Sequence, residues 1–364
     1  MRGRSRAQQP IFHYYHVEDR IPADHPLRRI KAQADQALRE LGPVFAAMYS
    51  ERGRPSIPPE ALLKSQLLIA LYSVRSDRLF CEQLAYNLLY RWFLDLEPEA
   101  PAFDPSTFSK NRERLLAQDV ARRFFDAVVR QAQAAGLLSD EHFSVDGTLI
   151  EAWASLKSFQ RKAGVVEERS PDDPGNPTVD FHGERRSNKT HQSTTDPEAR
   201  LLRHSRGREA KLCFAGHVLM ENRHGLCVDL AVTEATGITE PAAAVTLLAR
   251  QARKRRRPAT LGADKGYHTR AFIRQLRARG IRPHVAPITG RRTPGLDGRT
   301  LRHQSFAVSQ RCRQRVEEIF GWAKTTGGLR KTRFRGVART ELYALLVGTA
   351  YNLLRLSRLV HAPG

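Results

Sequence analysis

HFSVDGTLIEAW, residues 142–153, decides what kind of fold this chain adopts. Before it, apolar residues recur at helical spacing. From His142 they crowd together as aromatic and β-branched residues, the mark of a strand. Asp146 stands inside that run. A carboxylate in an apolar strand is costly unless it is paired, hydrogen-bonded or bound to a cation, so its presence needs a reason.

Toward the N-terminus, residues 1–140 read as helical. PPEALLKSQLLIALYSV (58–74) opens with two prolines and sets Leu63, Leu67, Ala70, Leu71 and Val74 at helical spacing. DRLFCEQLAYNLLYRWFL (77–94) reads as one further helix. DPSTFSKNRERLL (104–116) starts with the N-cap candidates Asp104 and Ser106 and carries Lys110, Arg112 and Arg114. ARRFFDAVVRQAQAAG (121–136) closes at Gly136, a C′ glycine. Short helices with one basic, Ser/Thr-rich member suit a helix-turn-helix-like DNA reader with Lys110, Arg112 and Arg114 as its contacts. From these residues alone, a bundle with a solvated basic face suits them equally.

Toward the C-terminus, the stretch from about Lys157 to Ala210 is polar, with PDDPGNP (171–177), and reads as a loop-like insertion. KLCFAGHVLM (211–220) and LCVDLAVTEA (226–235) read as an antiparallel hairpin around the turn Glu221–Gly225. A helix from about Glu240 to Arg255 follows and ends in ARKRRRP (252–258). Then come the strand ATLGAD (259–264), the helix TRAFIRQLRARG (269–280) and the strand RPHVAP (282–287). A helix around Glu317 and a final apolar helix, ELYALLVGTAYNLLRLSRLV (341–360), complete the order. With the insertion set aside, this is the order of an RNase H-like domain: an antiparallel unit extended by parallel strands, with helices on both faces. The expected class is α+β, with a helical region over 1–136 and a mixed-sheet domain over 137–364 that carries the insertion at about 157–210.

Sixty Lys and Arg, mostly Arg, stand against 38 Asp and Glu, a formal charge of +22. That excess points to a polyanionic partner, most simply nucleic acid. Apolar content of 41% supplies a real core and argues against wholesale disorder. The four cysteines lie far apart without a CxxC pair, which argues against a zinc site and fits a reducing cytoplasm. MRGRSRAQQP lacks an apolar stretch, and the longest apolar run is too short to span a bilayer, so a soluble intracellular protein is expected.

Two more acids join Asp146. Asp264 ends the strand ATLGAD, at the strand terminus where α/β sheets place their sites. In RCRQRVEEIFGWAK (311–324), read as one helix, Gln310, Arg313, Glu317 and Lys324 share a stripe beside the apolar face Val316, Ile319, Phe320 and Ala323. Glu317 therefore borders the core, while Glu318 points about 100° further round. An ordinary i,i+4 ion pair accounts for Arg313 and Glu317, but not for the two strand acids. Three carboxylates from two strands and a helix are what two Mg²⁺ ions need for an in-line phosphoryl displacement, and Mn²⁺ can substitute. Arg313 and Lys324 are placed to neutralise phosphate.

These residues resemble a DDE transposase of bacterial insertion sequences, of the insertion-sequence-five group, along nearly the whole chain. GRPSIPPEALLKSQLLIALYSVRSDRLFCEQLAYNLLYRWFL and FDPSTFSKNRERLL are similar to that group's N-terminal domain. SVDGTLIEAWASLKSF, STTDPEARL, GHVLMENRHGL, GADKGYH and RVEEIFGWAKTTGGLRKTRFRG are similar to its catalytic domain. The resemblance implies that Asp146, Asp264 and Glu317 are the catalytic metal ligands. Glu317 keeps the spacing Arg, three residues, Glu, six residues, Lys, met by Arg313 and Lys324. The group usually has Tyr three positions before that Arg; this chain has Gln310. The implied activity is binding of the element's terminal inverted repeats, metal-dependent cleavage of its ends and joining to target DNA, with a dimer at synapsis. An RNase H-like nuclease without joining, and a catalytically silent DNA-binding copy, remain as alternatives.

Overall fold

In a computed structural model, residues 16–49, 56–117, 119–162, 180–181, 184–203, 209–237 and 239–360 are described; PDDPGNP lies outside them. The helical region comprises α1 (Pro26–Glu40), α2 (Gly42–Met48), α3 (Pro59–Leu71), α4 (Asp77–Tyr86), α5 (Leu88–Phe93), α6 (Pro105–Ala117) and α7 (Val120–Ala134). The α3 helix is apolar around most of its girth and is buried on all sides from Ala61 to Ala70. Its buried Lys64 pairs with Asp35 at 2.9 Å and Asp95 at 2.5 Å, so the charge is not stranded. The expected single helix over 77–94 is two. Asn87 leaves the helical region at ψ 101°, and its side chain accepts from the Tyr90 N–H, which caps α5 and stops α4. Gly136 has φ +70° and ends α7 in the left-handed conformation that glycine adopts without cost.

The sheet begins with β1 (His142–Glu151). The insertion supplies β2 (Phe159–Arg161), β3 (Asp180–Phe181), β4 (Glu184–Arg185), β5 (His191–Ser193) and β6 (Arg200–Arg203). After it come β7 (Ala210–Glu221), β8 (Leu226–Glu234), α8 (Glu240–Arg253), β9 (Thr260–Ala263), α9 (Arg270–Ala278) and β10 (Arg282–Val285). The strand order is β10-β9-β1-β7-β8, with β6 pairing the start of β7 on the β8 side. The β1–β7 and β7–β8 pairs are antiparallel, whereas β9 and β10 run parallel to β1. This is the RNase H-like arrangement expected above. The insertion is less loop-like than its composition suggests. Asn188 holds β6 at Leu201 by two 2.8 Å hydrogen bonds, one to each backbone group, and β6 then extends the main sheet.

The chain closes with α10 (Gly298–Arg302), α11 (Gln304–Cys312), α12 (Val316–Thr325) and α13 (Val337–Leu359). The expected helix over 311–324 is broken: Arg313–Arg315 form a 3-10 turn between α11 and α12. Alternation along β1 divides the core. Phe143 and Val145 face α8 and α9, with Leu247, Leu261 and Phe272. Ile150 faces the other way, into a core shared with Val316 and Ile319 of α12, with α13 and with the N-terminal helices. Because α13 is buried over most of its length, it lies between the sheet and α1, α3 and α7. Among the described residues, no helix is long and apolar enough to cross a membrane.

Candidate active site

The β1–β9 pairing runs from His142 opposite Thr260 to Ser144 opposite Gly262; β9 ends one residue later, at Ala263, while β1 continues to Glu151. Extending that register by two residues sets Asp146 beside Asp264. The ending of β9 thus opens a notch in the sheet edge where backbone no longer separates the two faces. On its other side β1 still pairs with β7, Asp146 opposite Val218, so the first aspartate sits on a strand held by a full ladder. Asp264 caps the 3-10 turn Lys265–Tyr267, its Oδ1 accepting the Gly266 N–H at 2.8 Å.

The third acid comes from α12. Val316, Ile319 and Ala323 are buried, and α12 packs against β1 and α13. Burying side chains of the Val and Ile type contributes about 1.5–3 kcal/mol each, which fixes the helix rotation. That rotation leaves Glu317 exposed at its N-terminal turn, with no hydrogen bond or ion pair among the described residues. Its negative charge nevertheless reaches Asp146. Glu318 points elsewhere and pairs with Arg355 at 3.1 Å. Arg313, in the 3-10 turn against β1, brings its guanidinium to 3.7 Å from Asp146 Oδ2.

The electrostatics follow from this crowding. Burial pushes the Asp146 carboxyl up to about 6. The charges of Asp264 and Glu317 act in the same direction, opposed by the Gly147 N–H and by Arg313. The notch therefore disfavours bare negative charge and favours a cation. Tyr267 adds to the picture: it is fully buried, and its hydroxyl has no hydrogen-bond partner among the described residues. Burial raises that hydroxyl well above its usual range, and the charges of Glu240, Asp146 and Asp264 add to the rise. The Arg313 Nε is likewise buried and unpartnered. A donor set of carboxylate oxygens, with a buried hydroxyl beside it, suits a hard divalent cation. As placed, no three His, Cys, Asp or Glu side chains among the described residues stand close enough together to hold an ion.

Sequence reading missed Glu240, the first residue of α8. A methyl group built on Gly147 would lie 2.8 Å from Glu240 Oε1, and one built on Gly266 would lie 3.5 Å from Glu240 Oε2. Burial raises its carboxyl, and Asp264 and Asp146 raise it further. A glutamate before a proline at a helix start looks like an ordinary first-turn acid. The detectable signal was Gly147 beside Asp146, which makes room for the Glu240 carboxylate.

The other expected site residues divide. Gln310 donates its amide to the His284 carbonyl at 2.5 Å, which ties α11 to the end of β10. Lys324 does not join the acids; it lines a cleft further along β1 with Leu149, Glu151, Lys211 and Arg330. Burial and Arg330 lower its ammonium pKa. Lys110 and Arg114 are exposed on α6. Arg112, expected to contact DNA, is instead buried, paired with Asp77 and stacked 4.7 Å over Phe334. The α6 helix turns it inward because the ring and the carboxylate lie on its core side.

Residues 139–353 match the family model described as Transposase DDE domain, which covers more than half of the chain. Residues 15–114 match the one described as Transposase domain (DUF772). No curated protein matches the chain. Among solved structures, the cryo-EM structure of a piggyBac transposase synaptic complex with hairpin DNA aligns with a TM-score of 0.42 and 9% identity. That alignment covers 92% of this chain and 76% of the other. The crystal structure of a pre-cleavage Mos1 transpososome aligns with a TM-score of 0.20 and 13% identity, over 85% and 82% of the two chains. Both alignments are too loose to carry residue correspondences.

Proposed function

The chain belongs to the DDE transposase family, and we propose that Asp146, Asp264 and Glu317 carry its DNA chemistry, within the insertion-sequence-five group. It is a transposase that uses divalent metal; Mg²⁺, with Mn²⁺ as a substitute, is the reading its oxygen donors favour. The observation that supports this assignment most is the notch itself. Ending β9 early brings Asp146 and Asp264 side by side, and α12 turns Glu317, not Glu318, toward the same space.

Asp146 and Asp264 hold the cations from the sheet, and Glu317 from the helix. The metal supplies charge stabilisation for displacement at phosphorus and a nucleophile at neutral pH. Arg313, adjacent to Asp146, positions a phosphate of the DNA end and offsets carboxylate charge. Lys324, with Arg330 in the cleft along β1, tracks the backbone beyond the scissile position. Residues 1–136 serve as the end-reading region, with Lys110 and Arg114 on its exposed face. The reaction is cleavage at the terminal inverted repeats followed by joining of the freed 3′-hydroxyl to target DNA, by a homodimer that holds two ends, in the cytoplasm.

The test uses the full chain with duplexes carrying the inverted repeats that flank its gene. Cleavage and joining should require Mg²⁺ or Mn²⁺, and Asp146→Asn and Asp264→Asn should each remove both while leaving end binding nearly intact. Full activity of either variant would overturn the assignment. Cleavage without joining in the unaltered chain would mean a nuclease.

A further inference from the structure

Glu240 approaches the notch from the face opposite Glu317. In β1, Asp146 lies on the α12 side by alternation, and Gly147 lies on the α8 side, where the Glu240 carboxylate covers it. One carboxylate oxygen lies against Gly147, which follows Asp146. The other is near Gly266, whose N–H holds Asp264. The carboxylate makes no hydrogen bond or ion pair among the described residues. A first-turn glutamate gains from the helix dipole while facing solvent, so capping does not require it to be wedged between two aspartate loops. The buried Tyr267 hydroxyl, without a hydrogen-bond partner among the described residues, also feels the charges of Glu240, Asp146 and Asp264. The α8 helix itself is held firmly, packed on β1, β7, β8 and the Lys265–Tyr267 turn.

We propose that Glu240 is a fourth oxygen donor of the catalytic cation site, supplied from α8. This rests on Asp146, Asp264 and Glu317 being its other donors. Gly147 follows from the role: a side chain there would displace the carboxylate.

The experiment measures Mn²⁺ affinity of the full chain without DNA, by calorimetry and by the paramagnetic signal of free Mn²⁺. Melting temperatures in EDTA are recorded alongside. Glu240→Gln should weaken Mn²⁺ binding roughly ten- to hundredfold, the range seen when groups that support a metal site are removed. Glu240→Asp keeps the charge at the helix start but withdraws the carboxylate, and it should weaken binding in the same range. Gly147→Ala, which displaces the carboxylate without removing it, should do so too. None of the three should lower the melting temperature in EDTA to the point of unfolding. Wild-type Mn²⁺ affinity in Glu240→Gln, with binding lost in Asp146→Asn, would overturn the role of Glu240 and leave the catalytic reading intact. Wild-type affinity in Glu240→Asp alone would show that charge at the helix start is sufficient, and would also overturn it. Unchanged affinity in Asp146→Asn would instead remove the reading on which the proposal stands.

Discussion

Two groups of charge in this protein are treated in opposite ways. Arg122 on α7 is buried and fully engaged. It donates to Asp229 Oδ1 at 2.6 Å, to the Leu230 carbonyl at 2.7 Å and to Glu341 Oε1 at 2.8 Å. The wholly buried Asp229 also accepts from the Leu230 N–H and from Gln251. That network joins α7, β8, α8 and α13, and both Asp229 oxygens accept hydrogen bonds. In the notch, by contrast, the charges of Asp264 and Glu317 act on Asp146, and those of Asp264 and Asp146 on Glu240, with one guanidinium at 3.7 Å from Asp146. Buried charge that is satisfied holds elements together. Charge left unsatisfied is destabilising on its own and persists where something else completes it.

The sharpest way to break this contrast is Glu317→Gln. An amide is a poorer ligand for a hard cation, so end cleavage should fall by several orders of magnitude. Thermal stability should hold or rise slightly, because one of several crowded like charges has gone. Cleavage rate on an end duplex and a melting curve of the same preparation read the two effects. Retained cleavage would place the third acid elsewhere.

Arg122→Met should do the reverse. Removing it leaves the buried Asp229 with Arg250, at 3.3 Å, as its remaining charged partner, so the cost should be up to about 3–5 kcal/mol, measurable by denaturant unfolding. Asp229→Leu added to it should recover much of the loss, because a pair replaced by apolar groups is often neutral. If the single variant unfolds like wild type, the network contributes nothing to holding the sheet against the helices.

Why the notch was legible in the sequence and the network was not is a matter of range. Asp146 and Asp264 are conspicuous because each interrupts or ends an apolar strand, a local pattern. The strand order followed from alternating periods in the same way. Arg122 and Asp229 are 107 residues apart, and nothing local distinguishes Arg122 from its neighbour Arg123. Arg112 was misplaced for the same reason: only tertiary packing shows that Asp77 and Phe334 lie under α6. The break at Asn87 was visible in principle, since Asn is a favoured cap, but the apolar spacing runs straight through it. Glu240 was hidden because its meaning depends on Gly147, far away in the chain.

A smaller effect tests the surface against the interior on one helix. Lys110→Ala and Arg114→Ala should each weaken end-DNA binding modestly and lower the slope of log affinity against log salt by about 1, as expected for a lost phosphate contact. Arg112→Ala should leave that slope unchanged and lower the melting temperature, since its partners are Asp77 and Phe334. A salt slope that drops with Arg112 and not with its neighbours would mean that α6 presents its other face to DNA.

The smallest expected effect belongs to Glu318, next in sequence to the residue with the largest. Its carboxylate is half exposed and pairs with Arg355 at 3.1 Å. Arg355 does not depend on it: the guanidinium also donates to the His224 carbonyl at 2.8 Å and lies over the Tyr351 ring. Glu318→Gln should therefore cost ~0–1 kcal/mol of stability, the range of a surface pair, and leave cleavage unchanged under the Mg²⁺ concentration at which Glu317→Gln fails. One helical step, about 100°, separates the two side chains, and buried Val316, Ile319 and Ala323 fix which of them faces the notch. Equal loss in the two variants would mean that α12 rotates when DNA binds. The reverse order would mean that the apolar face of α12 does not set the direction of its acids.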